Sequence, residues 1–179
     1  MLKRIALVGA NGQLGRELRQ RLGERAIPLS HADIELTDAS SVEAAIASAS
    51  PDTVINAVAY NLVDRAEDEP KVAFAVNAYG PRNLAIACDA RDIPLLHVST
   101  DYVFSGKDKT SSVERQRSLP YTEADRPDPL CEYAKSKRAG ERYVENLCER
   151  YFVVRTSGLY GPTTTPGRGN FVQTMLRLG

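Results

Sequence analysis

The chain has 179 residues, and its 42% hydrophobic and 26% charged content is typical of a folded globular domain and argues against intrinsic disorder. Its 23 basic and 23 acidic residues leave no net charge to favour nucleic acid or an anionic membrane, so we expect neither partner. The length predicts one domain over residues 1–179, large enough to bury a hydrophobic core.

Predicted strands and helices alternate along the chain, beginning with four apolar residues at Ile5–Val8. Ser40 is the expected N-cap of the second helix, and Pro81 is expected to bend or split the third. Short buried strands that alternate with helices predict an α/β fold with a doubly wound parallel sheet and right-handed crossovers. The predicted strands are Ile5–Val8, Ala26–Leu29, 53–58, 93–99 and 151–155, the predicted helices are 12–22, 41–49, 71–91, 132–150 and 170–178, and the longest predicted loop is 106–129.

The cysteines and the N-terminus indicate where the protein resides. Cys88, Cys131 and Cys148 are odd in number and widely spaced, which predicts a reducing compartment and neither disulfides nor a zinc site. The apolar stretch after Met1 runs directly into a glycine segment, as a first strand would and a signal peptide would not. No apolar run approaches the roughly 20 residues that span a bilayer. We therefore expect a cytoplasmic protein.

A glycine segment, Gly9-Ala-Asn-Gly12-Gln-Leu-Gly15, follows the first predicted strand and opens the first predicted helix. Its spacing differs from the G-x-G-x-x-G fingerprint, but the roles are similar: a tight turn, close approach of amides to phosphate, and close packing of helix on strand. An ordinary strand-to-helix turn is the alternative. The position directly after the first strand favours a site for the pyrophosphate of a dinucleotide.

The sequence leaves the choice between NADH and NADPH open. Asp33 lies at about the distance of the acid that binds ribose hydroxyls in NAD sites, but the second predicted strand ends earlier, so Asp33 and Ile34 could contact adenine instead. Arg16 could meet a 2′-phosphate or could be a solvated helix residue. Small side chains at residues 56–59 lie where the end of the third strand would face a ligand, with simple packing as the alternative.

Tyr133 and Lys137 are four residues apart on a predicted helix, so a phenol and an ammonium share one face. Carbonyl reduction needs a hydride and a proton, and a tyrosine can give the proton if a neighbouring ammonium lowers its pKa. Thr100, at the end of the fourth predicted strand, could hydrogen-bond the substrate carbonyl. A solvated helix face is the alternative for the pair. His97 is expected to be a strand residue with a satisfied hydrogen bond and not a base.

These motifs together resemble the extended short-chain dehydrogenase/reductase superfamily and, within it, the dTDP-4-dehydrorhamnose reductase family. The most selective string is Ser99-Thr-Asp-Tyr-Val-Phe-Ser-Gly106. The resemblance covers nearly the whole chain and rests also on segments 9–18, 54–60, 63–67, 133–141, 155–157 and 170–176. It implies a Rossmann-like NAD(P)-binding domain.

The resemblance also implies residue roles. Catalysis is assigned to Thr100, Tyr133 and Lys137, and Asp101 and Tyr102 are placed near the sugar. An asparagine that helps to hold the active site in such enzymes corresponds to Asn77. The implied cofactor-binding residues are Gly9, Asn11, Gly12, Gln13, Leu14, Gly15, Asp33, Ile34, Ala57, Ala59, Tyr60, Asn77, Tyr133 and Lys137.

Two departures from the family pattern concern the substrate. Asn61 stands where the family usually has threonine, and Gly158 where it has tryptophan. Loss of an indole removes contacts of about 1–3 kcal/mol, which is compatible with a related sugar. Family members are also longer, and their additional segment supplies the sugar-nucleotide lobe. Because the last predicted helix has only begun at the chain end, we expect the N-terminal part of a longer protein with most of the substrate lobe after residue 179.

The resemblance implies an NAD(P)H-dependent reductase of a 4-keto-6-deoxy nucleotide sugar, in the synthesis of dTDP-L-rhamnose for cell-surface polysaccharide. Two alternatives stay open: a catalytically idle NAD(P)-binding regulatory subunit, and a sister epimerase or dehydratase that keeps its NAD. Some relatives use a glutamate at the position of Glu17 to bind a divalent ion between subunits, so a homodimer also stays open, although one carboxylate does not define a metal site.

Overall fold

A computed structural model of the protein describes residues 3–106, 120–161 and 171–178. Its centre is a sheet of five parallel strands in the order β2-β1-β3-β4-β5. The chain therefore leaves the central strand first to one side and then to the other, which confirms the doubly wound fold. The strands are β1 (Ile5–Val8), β2 (Ala26–Leu29), β3 (Thr53–Asn56), β4 (Leu95–Thr100) and β5 (Tyr151–Thr156).

Helices cover both faces of the sheet, which explains why the strands read as short apolar runs. Ala6, Leu7 and Val8 of β1 are fully buried, and Val42 and Ile46 of one covering helix are equally inaccessible. The helices are α1 (Gln13–Leu22), α2 (Ala39–Ala49), α3 (Val63–Asp68), α4 (Pro70–Phe74), α5 (Gly80–Asp89), α6 (Glu132–Leu147) and α7 (Phe171–Leu178), with a π-helical turn at Ala75–Tyr79 and short 3₁₀ turns at Gly23–Arg25 and Asp101–Val103.

The third predicted helix, 71–91, is helical from residue 70 to residue 89 but is interrupted. The structure divides this region into α4, the π-helical turn and α5, and Pro81 lies in the first turn of α5. Proline cannot donate a hydrogen bond to the carbonyl four residues earlier, which belongs to Asn77. The chain passes this point through the π-helical turn, so the expected effect of Pro81 is confirmed and places an irregular turn around Asn77.

Side-chain hydrogen bonds account for two shifted boundaries. Asp38, and not the predicted Ser40, caps α2, because its carboxylate accepts from the backbone N–H of Ser40 at 2.8 Å and of Ser41 at 3.4 Å. Strand β3 ends two residues earlier than predicted, where Asn56 Oδ1 accepts from the N–H of Val58 at 3.0 Å and turns the chain. The predicted start of the last helix at residue 170, and loop residues 107–119, lie outside the described ranges.

Candidate active site

A cavity of about 750 Å³, here called the main cavity, opens at the carboxyl ends of the strands. Its size is within the range of small-molecule sites, and a doubly wound sheet binds ligands at this edge. Residues far apart in sequence meet there because β1, β3 and β4 are neighbours in the sheet. Of the residues predicted to bind or react, its lining includes Gly9, Asn11, Gly12, Gln13, Leu14, Ile34, Ala57, Ala59, Thr100, Asp101, Tyr102, Tyr133 and Lys137.

The glycine loop forms one end of the main cavity. Gly9 has φ +86°, and an added Cβ would lie 2.8 Å from Val58 Cγ2. A Cβ on Gly15 would lie 2.1 Å from the carbonyl oxygen of Gly9, so only glycine lets α1 pack this closely on the loop. Gly15 is therefore behind the lining, while Gly12 and Gln13 at the start of α1 face the cavity. Helix N-termini attract anions, which fits a pyrophosphate.

The end of β2 differs from the sequence prediction. Asp33 turns its carboxylate back onto Ser30, whose N–H and Oγ donate to Oδ2 at 2.8 and 2.6 Å. These hydrogen bonds lower the pKa of Asp33 below its ordinary value. Ser30 and His31 line the main cavity instead, with Ile34 beside them. The sequence analysis did not assign a role to either residue, although their position directly after β2 could have indicated one.

Asn77 lies behind the cavity wall and joins two of its parts. Its side chain accepts from the N–H of Tyr60 at 2.8 Å and donates to the carbonyl of Tyr60 at 3.0 Å. The same Nδ2 donates to Ser136 Oγ at 3.0 Å, and Ser136 Oγ donates to the carbonyl of Tyr133 at 2.7 Å. This network, named the Asn77 bridge, fixes the loop after β3 relative to the start of α6. Tyr60 and Asn77 thus contact the wall from behind.

Gly140 allows the close packing on which the Asn77 bridge depends. An added Cβ would lie 2.1 Å from the carbonyl oxygen of Asn77 and 3.4 Å from Pro81 Cγ. Helix α6 therefore packs directly on the backbone of the π-helical turn, as only a glycine allows. This close approach places Ser136, which is fully buried, within hydrogen-bond distance of Asn77. The sequence showed the glycine but not its partner.

The Tyr133 hydroxyl shares a hydrogen bond with the side chain of Thr100, at the end of β4. The ring of Tyr102 packs edge-on against Tyr133 with 6.0 Å between ring centroids. Burial raises the pKa of Tyr133 above its ordinary value, and the Thr100 hydrogen bond opposes this only in part. The predicted direction was the reverse, a pKa lowered by Lys137. In this structure the phenol is therefore uncharged at neutral pH.

Lys137 is almost fully buried, with 1% of its surface exposed, and its Nζ donates to the carbonyl oxygen of Val98 in β4 at 2.8 Å. Burial lowers its pKa to about 8, and the nearby carboxylate of Glu141 opposes this shift. This hydrogen bond holds the ammonium against β4. Both members of the predicted Tyr–Lys pair thus border the same cavity, so the solvated-face alternative is wrong for these two residues.

We expect Lys137→Met to stabilise the fold at neutral pH. Because burial depresses the pKa of Lys137 from 10.5 to about 8, the unfolded chain binds its proton more tightly, and the folded state is destabilised by about 3 kcal/mol below pH 8. Loss of the hydrogen bond to Val98 offsets about 1 kcal/mol of the gain. Urea unfolding at pH 7 should show a net gain of about 2 kcal/mol that shrinks as the pH rises toward 10.5.

Lys135→Met is the matched control, because Lys135 is on the same helix but has 46% of its side chain exposed. Its free energy of unfolding should stay within about 0.5 kcal/mol of that of the parent protein, both at pH 7 and at the higher pH values of the series. Equal stabilities of the Lys137→Met variant and the parent at pH 7 would contradict the assigned burial cost.

His97 is fully buried in β4, and its Nδ1 lies 3.1 Å from Asn56 Nδ2. Its Nε2 has no hydrogen-bond partner among the described residues, so the expected satisfaction is only half met. Burial first, and then the charge of Lys137, hold the pKa of His97 well below its ordinary value. The ring is neutral at neutral pH and lies behind the cavity wall.

The segment after β5 also borders the main cavity, through Ser157, Gly158 and Leu159. Gln13 Nε2 donates to the carbonyl of Leu159 at 3.2 Å, which joins the glycine loop to this segment. Gly158 lines the cavity, and no atom of the described residues lies within 4 Å of a Cβ added there. Asn61, the other departure from the family pattern, also lines the cavity. Both departures therefore face the space where a ligand would bind.

A second cavity, of about 1150 Å³, adjoins the main cavity at Asp101 and Tyr102. Phe104 and Tyr121 stack in its wall with ring centroids 4.4 Å apart, and the Arg155 guanidinium lies 5.0 Å from the Phe104 centroid. The residues predicted to lie near the sugar thus occupy the junction of two cavities.

The described ranges contain neither a cluster of metal ligands nor a helix able to cross a membrane. Residues 3–106, 120–161 and 171–178 contain no group of three or more His, Cys, Asp or Glu side chains placed to hold a metal ion. Within the same part of the chain, no helix has the length and apolar character needed to cross a membrane.

Comparison with protein families and curated proteins gives one consistent result. The RmlD substrate binding domain family matches residues 3–179. The chain is 42% identical to a dTDP-4-dehydrorhamnose reductase from Streptomyces griseus, over 98% of this chain and 55% of that protein. It is 41% identical to one from Mycolicibacterium smegmatis, over 99% of this chain and 51% of that protein. The chain thus spans about half the length of the curated relatives it matches.

Solved structures agree. The fold superimposes on a dTDP-4-dehydrorhamnose reductase from Bacillus anthracis in complex with NADP with a TM-score of 0.88 and 38% identity, covering 99% of this chain and 60% of that one.

Proposed function

The chain belongs to the RmlD substrate binding domain family, and from this membership we propose that it forms the cofactor-binding and catalytic part of an NADPH-dependent reductase acting on dTDP-4-dehydrorhamnose. The observation that carries the proposal is the meeting of Thr100, Tyr133 and Lys137 in one cavity with the glycine loop. Relatives named dTDP-4-dehydrorhamnose reductase support the proposed substrate, and the relative solved with NADP supports the proposed cofactor.

The residues around the main cavity fit a dinucleotide. Gly9 and Gly15 let the loop pack closely on Val58 and on α1, and the first turn of α1 faces the main cavity. Backbone amides there would bind the pyrophosphate. Ile34, Ala57 and Ala59 would border the adenosine and nicotinamide halves.

Side chains at the end of β2 favour NADPH over NADH. In NAD sites an acid at this place binds the ribose hydroxyls, and it would repel a 2′-phosphate. Here Ser30 and His31 occupy the place, and the carboxylate of Asp33 is held by Ser30. Glu35 also borders the cavity, but Thr37 holds its carboxylate through two hydrogen bonds at 2.9 and 2.8 Å. Arg16 donates from Nε to the carbonyl of Asn11 at 3.1 Å, and its guanidinium would supply a cation for that phosphate.

Protonation of the substrate is assigned to Tyr133. When bound, the nicotinamide supplies the hydride that reduces the C4 carbonyl carbon. Tyr133 gives its phenolic proton to the carbonyl oxygen, so that the carbonyl becomes a hydroxyl and the tyrosine becomes a phenolate. Thr100 orients the Tyr133 hydroxyl through its hydrogen bond. The positive charge of Lys137 stabilises the phenolate until solvent returns a proton.

Substrate binding is assigned to the junction of the two cavities. Asp101 and Tyr102 would contact the sugar beside Tyr133. Among the described residues none fills the space beside Gly158, where the family pattern has a tryptophan. This space would admit a sugar that does not pack on an aromatic ring.

The test is a coupled measurement of cofactor oxidation and product identity in the whole protein that contains this chain. With dTDP-4-dehydrorhamnose, NADPH absorbance should fall with one equivalent oxidised per sugar, and NMR should identify dTDP-L-rhamnose. NADPH binding without turnover would overturn the proposal and indicate an idle regulatory subunit. Tightly retained NAD with no net oxidation would overturn it in favour of an epimerase or dehydratase.

A further inference from the structure

Helix α6 carries a third ionisable residue on the face that bears Tyr133 and Lys137. Glu141 follows Lys137 by four residues, as Lys137 follows Tyr133, so the three side chains lie along one stripe of the helix. Glu141 has no exposed surface, and the mechanism above does not use it. A fully buried carboxylate is costly unless it is paired, so its partners decide its role.

Two arginines pair with Glu141. Arg155 in β5 donates from Nε to Oε1 at 2.9 Å and from a terminal nitrogen to Oε2 at 2.8 Å. Arg138 donates to Oε2 at 2.7 Å and to Glu145 Oε1 at 2.8 Å. Burial alone would raise the pKa of Glu141, but the hydrogen bonds from these arginines outweigh it and hold the pKa below its ordinary value. Glu141 is therefore a carboxylate at neutral pH.

Among the described residues, the other groups around Lys137 supply no negative charge to it. Tyr133, on the same helix, is a neutral phenol. His97, on β4, is a neutral ring, and the charge that acts on it is that of Lys137. The hydrogen-bond partner of Nζ is the uncharged carbonyl of Val98. Arg138 and Arg155 are cations bound to Glu141. Asp101 beyond β4 acts on Tyr133 and borders the cavity.

We propose that Glu141, fixed by Arg155 and Arg138, is a positioning residue whose buried negative charge keeps Lys137 in its ammonium form. Arg155 fixes Glu141 from β5, so the position of this charge depends on that strand. The Arg155 guanidinium in turn lies against the Phe104 ring. The proposal deepens the proposed function, because a protonated Lys137 is what stabilises the phenolate of Tyr133. Its physical content, a charge state set by Glu141, holds whether or not the protein reduces a sugar.

Direct titration of Lys137 tests the proposal. Lysine labelled with ¹³C at Cε reports its own protonation by NMR, and the Lys137→Met spectrum assigns the signal. Glu141→Gln keeps the shape of the side chain but removes the charge, so the pKa of Lys137 should fall by about one unit or more. Glu145→Gln is the matched control, because Glu145 shares Arg138 but lies one turn further along α6. It should leave the pKa of Lys137 unchanged.

An unchanged pKa in Glu141→Gln, or an equal shift in Glu145→Gln, overturns the proposal. Should Glu141→Gln not fold, Arg138→Met gives the opposite test at a partly exposed position: it removes a cation that neutralises Glu141, so the pKa of Lys137 should rise. A fall or no change there also overturns the proposal. In the active protein, the alkaline limb of the kcat/KM profile should move to lower pH by the same amount in Glu141→Gln. Failure of the reductase assay would leave the NMR result intact.

Discussion

Tyr133→Phe should lower kcat by about 10²- to 10⁴-fold, the range expected when a positioned proton donor is removed. Phenylalanine keeps the ring that packs edge-on against Tyr102 and loses only the hydroxyl that meets Thr100. The affinity for NADPH should stay the same, because the glycine loop and the end of β2 are untouched. Stopped-flow or steady-state oxidation of NADPH measures kcat, and fluorescence titration measures the affinity.

Tyr143→Phe is the control for this prediction. Tyr143 is on the same helix, and its ring contacts Tyr79 at a centroid distance of 6.2 Å, outside both cavities. Its kcat should match that of the parent protein. A Tyr133→Phe variant that keeps its kcat within fivefold would remove the tyrosine from the chemistry.

Gly140→Ala should be the most destabilising single methyl group in α6. The added Cβ would lie 2.1 Å from the carbonyl oxygen of Asn77 and 3.3 Å from its carbonyl carbon, and both are backbone atoms, so neither can rotate away. We expect a loss of about 3 kcal/mol, at the upper end of overpacking effects. The shift of α6 should also break the Asn77 bridge, so kcat should fall in the molecules that stay folded. Urea unfolding and kcat measured at low temperature separate the two effects.

Gly158→Ala is the matched control for stability, because an added Cβ there has no neighbour within 4 Å in the part of the chain that the structure describes. Its free energy of unfolding should stay within about 0.5 kcal/mol of the parent value. If Gly140→Ala were equally harmless, the close contact between α6 and the π-helical turn would not exist in solution.

The sheet was predictable because its information is local. Each strand is a short apolar run next to a helical pattern, and the doubly wound order follows from burial on both faces. The family resemblance, confirmed by the match over residues 3–179, rested on strings such as 99–106 that keep side chains at the ends of strands. Tyr133, Lys137 and Thr100 could be found together because helical spacing and strand ends are both readable from sequence.

Contacts across the chain were not predictable in this way. Nothing local links Asn77 to Ser136, or Gly140 to the Asn77 carbonyl, since 59 residues separate the first pair. The cap of α2 was misassigned for a simpler reason: Asp38 and Ser40 are both good caps, and only the backbone path chooses between them. The direction of the Tyr133 pKa was wrong because spacing shows which residues are neighbours but not how deeply they are buried.

The burial of Lys137 has a consequence for laboratory evolution. Selection of a library of this protein only for resistance to heating would favour replacement of Lys137 by an apolar residue, because the buried ammonium destabilises the folded state. On the proposed mechanism, the selected variants would be more stable and would lack reductase activity. Thermal selection should therefore be paired with a turnover screen, or position 137 should be kept invariant.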